Sequence, residues 1–460
     1  MIKTDEGNLV LVESIDSVDE LNAKFYGRFP FPWRPARFDY LVDPYFETVM
    51  LNQSVGDWED RTVPRNLKIW IAGCGTNQAI FTALRFPKAT VLGSDLSVES
   101  LELCAKTAKE LGILNLELRE ESLNHVSYKN QFDYVICTGV IHHNADPHAA
   151  LGKLADALKP TGILELMVYN RYHRIITSAF QKAIRILREN TASVDFESEL
   201  SIVKKLIDKF PIENSVANLL SDYRDSPEPA IADTLMQPVE YSYTVESLED
   251  MAASCGLELV APCINIFDKA TKTFSWNMEF SDPELQDHYD SLPDLRRWQA
   301  SNLLLFEKSP LLWFYLQHKD CGRERKSERQ ICEEFLQTKF VRSSTTQRSY
   351  VAGDDGTYRL SSNSVSFPPA PSDILLRKVV DSVDAKVSMR DIFQQLEIDS
   401  TFQMVNQLRL KLTTIAFPYL RTVEVVENES VDEQEQGIKA KELKEASLQK
   451  FKNIKRRAVN

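Results

Sequence analysis

Two glycines one residue apart, closing one apolar run and followed by a helix-length segment and a second apolar run that ends in a carboxylate, leave this chain few folds. The stretch reads Leu67-Lys-Ile-Trp-Ile-Ala-Gly73-Cys74-Gly75-Thr-Asn77-Gln, then a helical Ala79 to Phe86, then Ala-Thr-Val-Leu-Gly-Ser-Asp95. Its pattern is that of a βαβ unit. Without a Cβ, Gly73 and Gly75 let the backbone turn sharply at the end of the first strand and approach a ligand beside the helix N-terminus. Asp95 follows Gly73 by 22 residues. A carboxylate at the tip of the second strand can accept hydrogen bonds from both hydroxyls of a ribose. A glycine pair also occurs in plain tight turns, so the rest of the chain has to decide.

The alternation continues. Ser97 is placed to cap a helix running to about Leu111, with Gly112 just past its end. Leu114 to Arg119 reads as a third strand with Glu121 and Ser122 at its tip, and Phe132 to Cys137 as a fourth, apolar enough to be buried on both faces. It opens into Thr138-Gly139-Val-Ile-His142-His143-Asn-Ala-Asp146-Pro; a helix from Ala149 to Leu158, a turn at 159–162 and a fifth strand from Ile163 to Tyr169 follow. Strands spaced this way, with helices between them, imply an α/β fold with a parallel sheet and right-handed crossovers.

Composition narrows the classes of function. At 460 residues the chain exceeds a single core, and 54 basic against 67 acidic side chains give a net charge of −13. That balance argues against broad, sequence-independent nucleic-acid binding while leaving a local basic patch open. Cysteines 74, 104, 137, 255, 263, 321 and 332 show no Cys-x-x-Cys spacing, and the sequence has neither a signal peptide nor a long apolar span. The expectation is a reduced, cytoplasmic enzyme that is not membrane-bound. His142, His143, Asp146 and His148 lie close in sequence but lack a repeated ligand spacing on one helix face, so no metal is expected.

Four segments now carry a resemblance. Ile71-Ala-Gly-Cys-Gly-Thr76, Gly93-Ser-Asp-Leu-Ser97, Phe132 to His143 and Leu158-Lys-Pro-Thr-Gly-Ile-Leu164 resemble, in order and spacing, the successive motifs of the class I S-adenosylmethionine-dependent methyltransferases. More narrowly, Tyr26 to Trp33 and Pro238 to Leu248 resemble a bacterial subgroup with an aromatic, proline-rich N-terminal segment. The resemblance implies a Rossmann-like sheet, S-adenosyl-L-methionine as cofactor and transfer of a methyl group to an oxygen or nitrogen of a small-molecule or protein acceptor. It implies that Gly73, Cys74 and Gly75 lie under the methionine and ribose, that Asp95 holds the ribose hydroxyls and that Leu96 flanks the adenine. Glu121 or Ser122 would meet the adenine amino group, and Thr138 and Gly139 would border the sulfonium. His142 and His143, on the loop at the mouth of the site, have two readings: one is a general base, with an acidic limb in the rate near pH 6–7, or one caps the next helix while the other packs. Two positions depart from the family: Ile71 stands where an acidic residue is usual, and Asn77 where a third glycine is usual. They motivate the competing reading, a binding or regulatory protein on the same fold without catalysis. A nicotinamide-dependent oxidoreductase is disfavoured by the later motifs.

Outside the motifs the reading is coarser. Ser17 to Ala23 is a short helix, and the following segment to Tyr40 is extended because prolines 30, 32 and 35 interrupt its aromatics. It is either a belt over the core or a lid in which Tyr26, Phe31 and Trp33 cover the site, with Tyr169 lining the acceptor side. Residues 1–60 are the lid and lead-in, 61–320 the methyltransferase-like domain with a two-helix cap at about 171–235, 321–345 a linker, 346–428 a small α+β module suggestive of a winged helix, and 429–460 a charged tail. The module would serve a homodimer or another partner.

Overall fold

The computed structural model describes residues 15–188, 195–263, 266–268, 273–274 and 278–423. The charged tail expected at 429–460 lies outside the described residues. Seven strands form the central sheet: β1 (Lys68–Ala72), β2 (Thr90–Asp95), β3 (Leu116–Glu120), β4 (Phe132–Thr138), β5 (Leu158–Tyr169), β6 (Leu257–Pro262) and β7 (Leu311–His318). Their spatial order is β3-β2-β1-β4-β5-β7-β6, with β7 antiparallel to both neighbours and the first five strands parallel. The order reverses between β1 and β4. Open α/β sheets take ligands outside the carboxyl ends of the strands at such a switch point.

The helices are α1 (Ile15–Arg28), α2 (Phe46–Ser54), α3 (Gln78–Arg85), α4 (Val98–Leu111) and α5 (Pro147–Ala157). Ser97 accepts a hydrogen bond from the Ser100 N–H, and Gly112 takes the left-handed conformation that ends α4, both as the sequence implied. Helices α3 and α4 bury Ile80, Ala83, Cys104 and Ala108 on one face of the sheet. On the other face α5 packs with α10 (Val245–Ser254) and α12 (Asp294–Leu304). Strand β4 is buried from Phe132 to Cys137 and opens only at Thr138. No described helix is long and apolar enough to cross a membrane.

Several sequence expectations are corrected. Helix α1 runs on to Arg28, because Phe25 is buried against cap residues such as Phe180 and Leu200, and only then does the proline-rich segment begin. The cap holds four helices rather than two: α6 (Arg171–Leu187), α7 (Phe196–Asp208), α8 (Ser215–Ser221) and α9 (Glu228–Leu235). Strand β5 starts at Leu158, opposite Phe132, but the register shifts there and regular pairing resumes at Ile163, so residues 159–162 bulge out as the expected turn. The hairpin Thr345–Ala352/Tyr358–Phe367 is not a wing on the C-terminal helices; it pairs with the N-terminal strand Arg37–Leu41 to make a separate three-stranded sheet.

The expected linker also holds structure. Its residues include α13 (Glu328–Gln337), whose Ile331, Phe335 and Leu336 form a core with α14 (Ile374–Ser382), α15 (Met389–Gln395), α16 (Phe402–Thr413) and Trp58. The described residues up to Thr422 therefore cluster as one compact unit. A buried ion cluster ties this module to α12. Asp294 pairs with Arg297 at 2.9 Å and with Arg325 at 2.7 Å, while Glu328 pairs with Arg297 and lies 3.8 Å from Arg409. Removing one buried partner leaves the other charge desolvated and uncompensated, which costs about 3–5 kcal/mol. Glu328→Gln should therefore lower the urea midpoint of the whole unit in a single transition, and an unchanged midpoint would show that the cluster contributes nothing to cohesion.

Candidate functional site

The carboxyl ends of β1 and β2 are tied together before any ligand is considered. Gly73 and Cys74 donate their N–H groups to the Ser94 carbonyl at 2.8 and 2.9 Å, which folds the loop back over β2. Gly73 sits at φ +73° with Val140 packed where a Cβ would be, and Gly75 at φ +52° with the Phe31 carbonyl oxygen 2.6 Å from that position. Neither position accepts a side chain. The Gly75 N–H donates to Asp95 Oδ2 at 2.8 Å and the Ser97 N–H to Oδ1 at 2.9 Å, so the carboxylate is held with lone pairs still to offer. Burial raises the Asp95 pKa above the usual carboxylate value, against the opposing pull of those N–H groups.

Asn77 needs no glycine in its place. Its φ is −135°, and its side-chain amide donates to the Trp33 carbonyl at 2.9 Å. Thr76 likewise donates to the Pro32 carbonyl through Oγ1 and to the Phe31 carbonyl through its N–H. The aromatic segment is thus strapped over the glycine loop by its backbone. Phe31 is half-buried there, and the Trp33 ring, 53% exposed, meets it edge-on at 6.1 Å. Cys74, also expected at the cofactor, turns its thiol into the core under the loop, where burial and Cys104 keep it protonated. Ile71 is likewise part of the core.

The remaining expected residues line the strand tips, where burial relaxes from complete to partial: Gly73, Gly75, Asp95, Leu96, Glu121, Ser122, Thr138 and Gly139. The Glu121 N–H donates to the Asp95 carbonyl at 3.2 Å, but its carboxylate accepts from Tyr128 Oη at 2.6 Å. Ser122 donates to Asp19 of α1. Thr138 Oγ1 meets Gln78 at 2.9 Å, and Gly139 stands at φ +79° beside Met167.

His142 and His143 are deeply buried, at 0% and 4% exposure. The His142 ring lies 4.1 Å from the Tyr169 ring and 4.2 Å from that of His143. His143 Nδ1 meets the Val239 carbonyl at 2.8 Å, and its own carbonyl accepts from Asn22 Nδ2 at 2.8 Å. Burial pushes the His143 pKa down to about 4 and that of His142 well below its ordinary value. Both rings are neutral near pH 7. The sequence-based limb at pH 6–7 therefore moves to near pH 4 for His143. The other two members of the histidine loop turn away: Asp146 caps α5 and His148 bonds Ser254.

Sequence reasoning missed the layer above these rings. Asp19, Asn22 and Tyr26 recur at helical spacing and share one face of α1, which faces the strand tips. Tyr26 donates to Asp233 of α9 at 3.0 Å and accepts from Gln237 Nε2 at 2.9 Å; Tyr169 also hydrogen-bonds Asp233. Burial raises the Asp233 pKa to about 6. Arg174 crosses the Tyr169 ring at 4.3 Å and pairs with Glu240. The polar spacing on α1 was the available signal; the cap partners had none.

A family model described as a methyltransferase domain matches residues 66–214. That match gives the chain a methyltransferase domain over about a third of its length. It is 25% identical over 300 residues to an uncharacterized protein of a Synechococcus strain, covering 63% of this chain and 69% of that one. It is 30% identical over 124 residues to a ubiquinone biosynthesis O-methyltransferase of a Bradyrhizobium strain, 26% of this chain and 47% of the relative. Among solved structures it is similar to PKMT2 from Rickettsia typhi in complex with AdoHcy, with a TM-score of 0.51 and 14% identity over 86% of this chain and 78% of that one. That last likeness shows the fold alone.

S-adenosylmethionine is the cofactor that the sequence motifs imply. The cradle fits it: the turn at Gly73 and Gly75 puts no side chain over the strand tips, and Asp95 keeps acceptor capacity for two hydroxyls. Gly75→Ala should drive a Cβ into the Phe31 carbonyl, lift the strap and weaken AdoHcy binding by at least about tenfold in calorimetry; undiminished binding would show that the strap does not close the loop. A second expectation concerns pH. His143 titrates near 6.5 unfolded and about 4 folded, so the stability its neutrality contributes is present above pH 6.5 and lost as the pH falls through 4. Asp233, raised to about 6, acts with the opposite sign in the same window. Urea melts of His143→Asn should lose less stability than the native chain between pH 6.5 and 4, by on the order of 3 kcal/mol.

Proposed function

We propose that this methyltransferase moves the methyl group to an oxygen or nitrogen nucleophile of a small molecule or a protein side chain, presented between α1, the cap and the ends of β4 and β5. The observation that carries the reading is the position of Tyr26. Its hydroxyl donates to Asp233, in the cap, at 3.0 Å, and its helix also reaches the strand tips, where Asp19 accepts from Ser122. A group seated beside Tyr26 would thus lie next to the bound cofactor.

When bound, S-adenosylmethionine supplies a methyl group already activated by its sulfonium. The protein's own work is then alignment and exclusion of water. Gly73, Gly75 and Asp95 hold the nucleoside and methionine parts, with Leu96 and Ser122 beside the adenine and Asp19 behind Ser122. Thr138, Gly139 and Tyr169 border the transfer path, with Phe31 closing it from above. His142 and His143 are neutral and can accept a proton, which supports a base or positioning role. The free thiols suit a cytoplasmic setting. The three-stranded sheet around Arg37–Leu41 offers a second copy or a partner a surface outside the site.

Asp95→Asn tests the site directly. It keeps the shape but weakens charge-assisted bonds to the ribose, each worth about 1.5–3 kcal/mol. AdoHcy affinity should fall at least about tenfold with the thermal transition preserved. An unchanged dissociation constant would mean that the nucleoside is held elsewhere.

A further inference from the structure

Four side chains around Tyr26 and Tyr169 carry buried polar atoms that have no hydrogen-bond partner among the described residues: Asn22 Oδ1, Gln237 Oε1, His143 Nε2 and both ring nitrogens of His142. Buried groups of this kind are rare, and each asks for an explanation in strain, water or function. Here they are contiguous. Asn22 reaches the His143 carbonyl, the His142 ring touches those of His143 and Tyr169, and Gln237 bonds Tyr26, one helical turn along α1 from Asn22.

The bonds these side chains do make settle what the free atoms can do. Asn22 spends its amide nitrogen on a carbonyl, so the atom left over is its oxygen, an acceptor. Tyr26 gives its proton to Asp233 and must therefore accept from Gln237 Nε2, which leaves Gln237 Oε1 as an acceptor. His143 Nδ1 faces a carbonyl and carries the hydrogen, so Nε2 is a bare lone pair. Neutral His142 offers one donor and one further acceptor. The set is rich in acceptors, lined by aromatic rings and backed by the Asp233 carboxylate, which is 8% exposed.

We infer that the acceptor of this methyltransferase is an amine, bound as a primary ammonium whose N–H groups are taken by Asn22 Oδ1, Gln237 Oε1 and His143 Nε2. This rests on the methyl-transfer reading above and deepens it. An alcohol brings one donor where the pocket presents at least three acceptors, and would leave buried lone pairs unmet. An ammonium brings three donors, one for each of those acceptors. For transfer the ammonium swings one N–H from Gln237 Oε1 to the neighbouring Tyr26 oxygen and gives up that proton, while Tyr26 passes its own to Asp233 Oδ1. The amine lone pair then forms the N–C bond as the methyl–sulfur bond breaks, its electron pair staying on sulfur. The products are a methylated ammonium, a neutral thioether and one proton, which Asp233 returns to solvent. The Asp233 pKa of about 6 suits a group that takes and releases that proton near neutral pH.

The probes are n-butylamine and its isostere 1-butanol, titrated into the full chain saturated with AdoHcy and followed by ligand-observed NMR and calorimetry. Butylamine should bind at least about tenfold more tightly than butanol, and Gln237→Met and Asn22→Leu should each remove most of that preference with AdoHcy affinity kept. Asp233→Asn, which preserves shape, should lower amine binding without affecting that of the alcohol. Equal binding of the two probes, binding of neither, or an amine preference that survives the folded variants would overturn the amine assignment and leave methyl transfer standing. Failure of the native chain to bind AdoHcy would overturn the methyl-transfer reading and the amine assignment with it.

Discussion

The Asp95 carboxylate is the point on which the working edge of this sheet depends. Backbone N–H groups from the β1 loop and from the start of α4 converge on its two oxygens, so one side chain ties together two βα turns. The N–H of Gly75 is available because that residue takes a left-handed conformation closed to residues with a Cβ, and the Phe31 carbonyl occupies the space a Cβ would fill. Carboxylate, glycine loop and aromatic strap are therefore one construction, and a change in any of them reaches the others.

Above that edge, the protein closes its site with polar contacts rather than with an apolar plug. Helix α1 buries Phe25 and Val18 on one side while Asp19, Asn22 and Tyr26 reach Ser122, the His143 carbonyl and Asp233. Each contact joins a different layer: strand tip, histidine loop and cap. Segment Pro238–Tyr243 does the same from the opposite direction, since Val239 accepts from His143, Tyr241 donates to the His142 carbonyl and Tyr243 donates to Tyr169. The histidines are pinned from both sides, and burial keeps their rings neutral against the Val239 carbonyl, which favours a charged His143.

What was legible in the sequence divides along physical lines. The strands and turns of the sheet could be read because each is specified locally: Gly73, Gly75, Ser97 and Gly112 each do in the structure what their chemistry implies at short range. Asn77 misled because a family position was judged by residue type, whereas its negative φ and its bond to Trp33 make glycine unnecessary. The pairing of Arg37–Leu41 with Thr345–Ala352 was out of reach, since strands some 300 residues apart leave no local trace of their partnership. Asp233 was invisible for the same reason. A lone aspartate on a cap helix acquires meaning only from the tyrosines of α1 and β5 that meet it.

Charge gives the arrangement its direction. Arg174 is taken up by a two-point contact with Glu240, at 2.8 and 2.5 Å, so it neutralises that carboxylate first and Asp233 only at a distance. With the histidines neutral, the space between Asp95 and Asp233 is more anionic than cationic. A sulfonium entering it is favoured over a neutral ligand of the same shape, and the low dielectric of a closed site magnifies the difference. Transfer of the methyl group turns the sulfonium into an uncharged thioether, and that part of the attraction disappears. Under the proposed placement of the cofactor, these carboxylates would hold the charged sulfonium more firmly than its uncharged product, so the electrostatics of binding would also favour release.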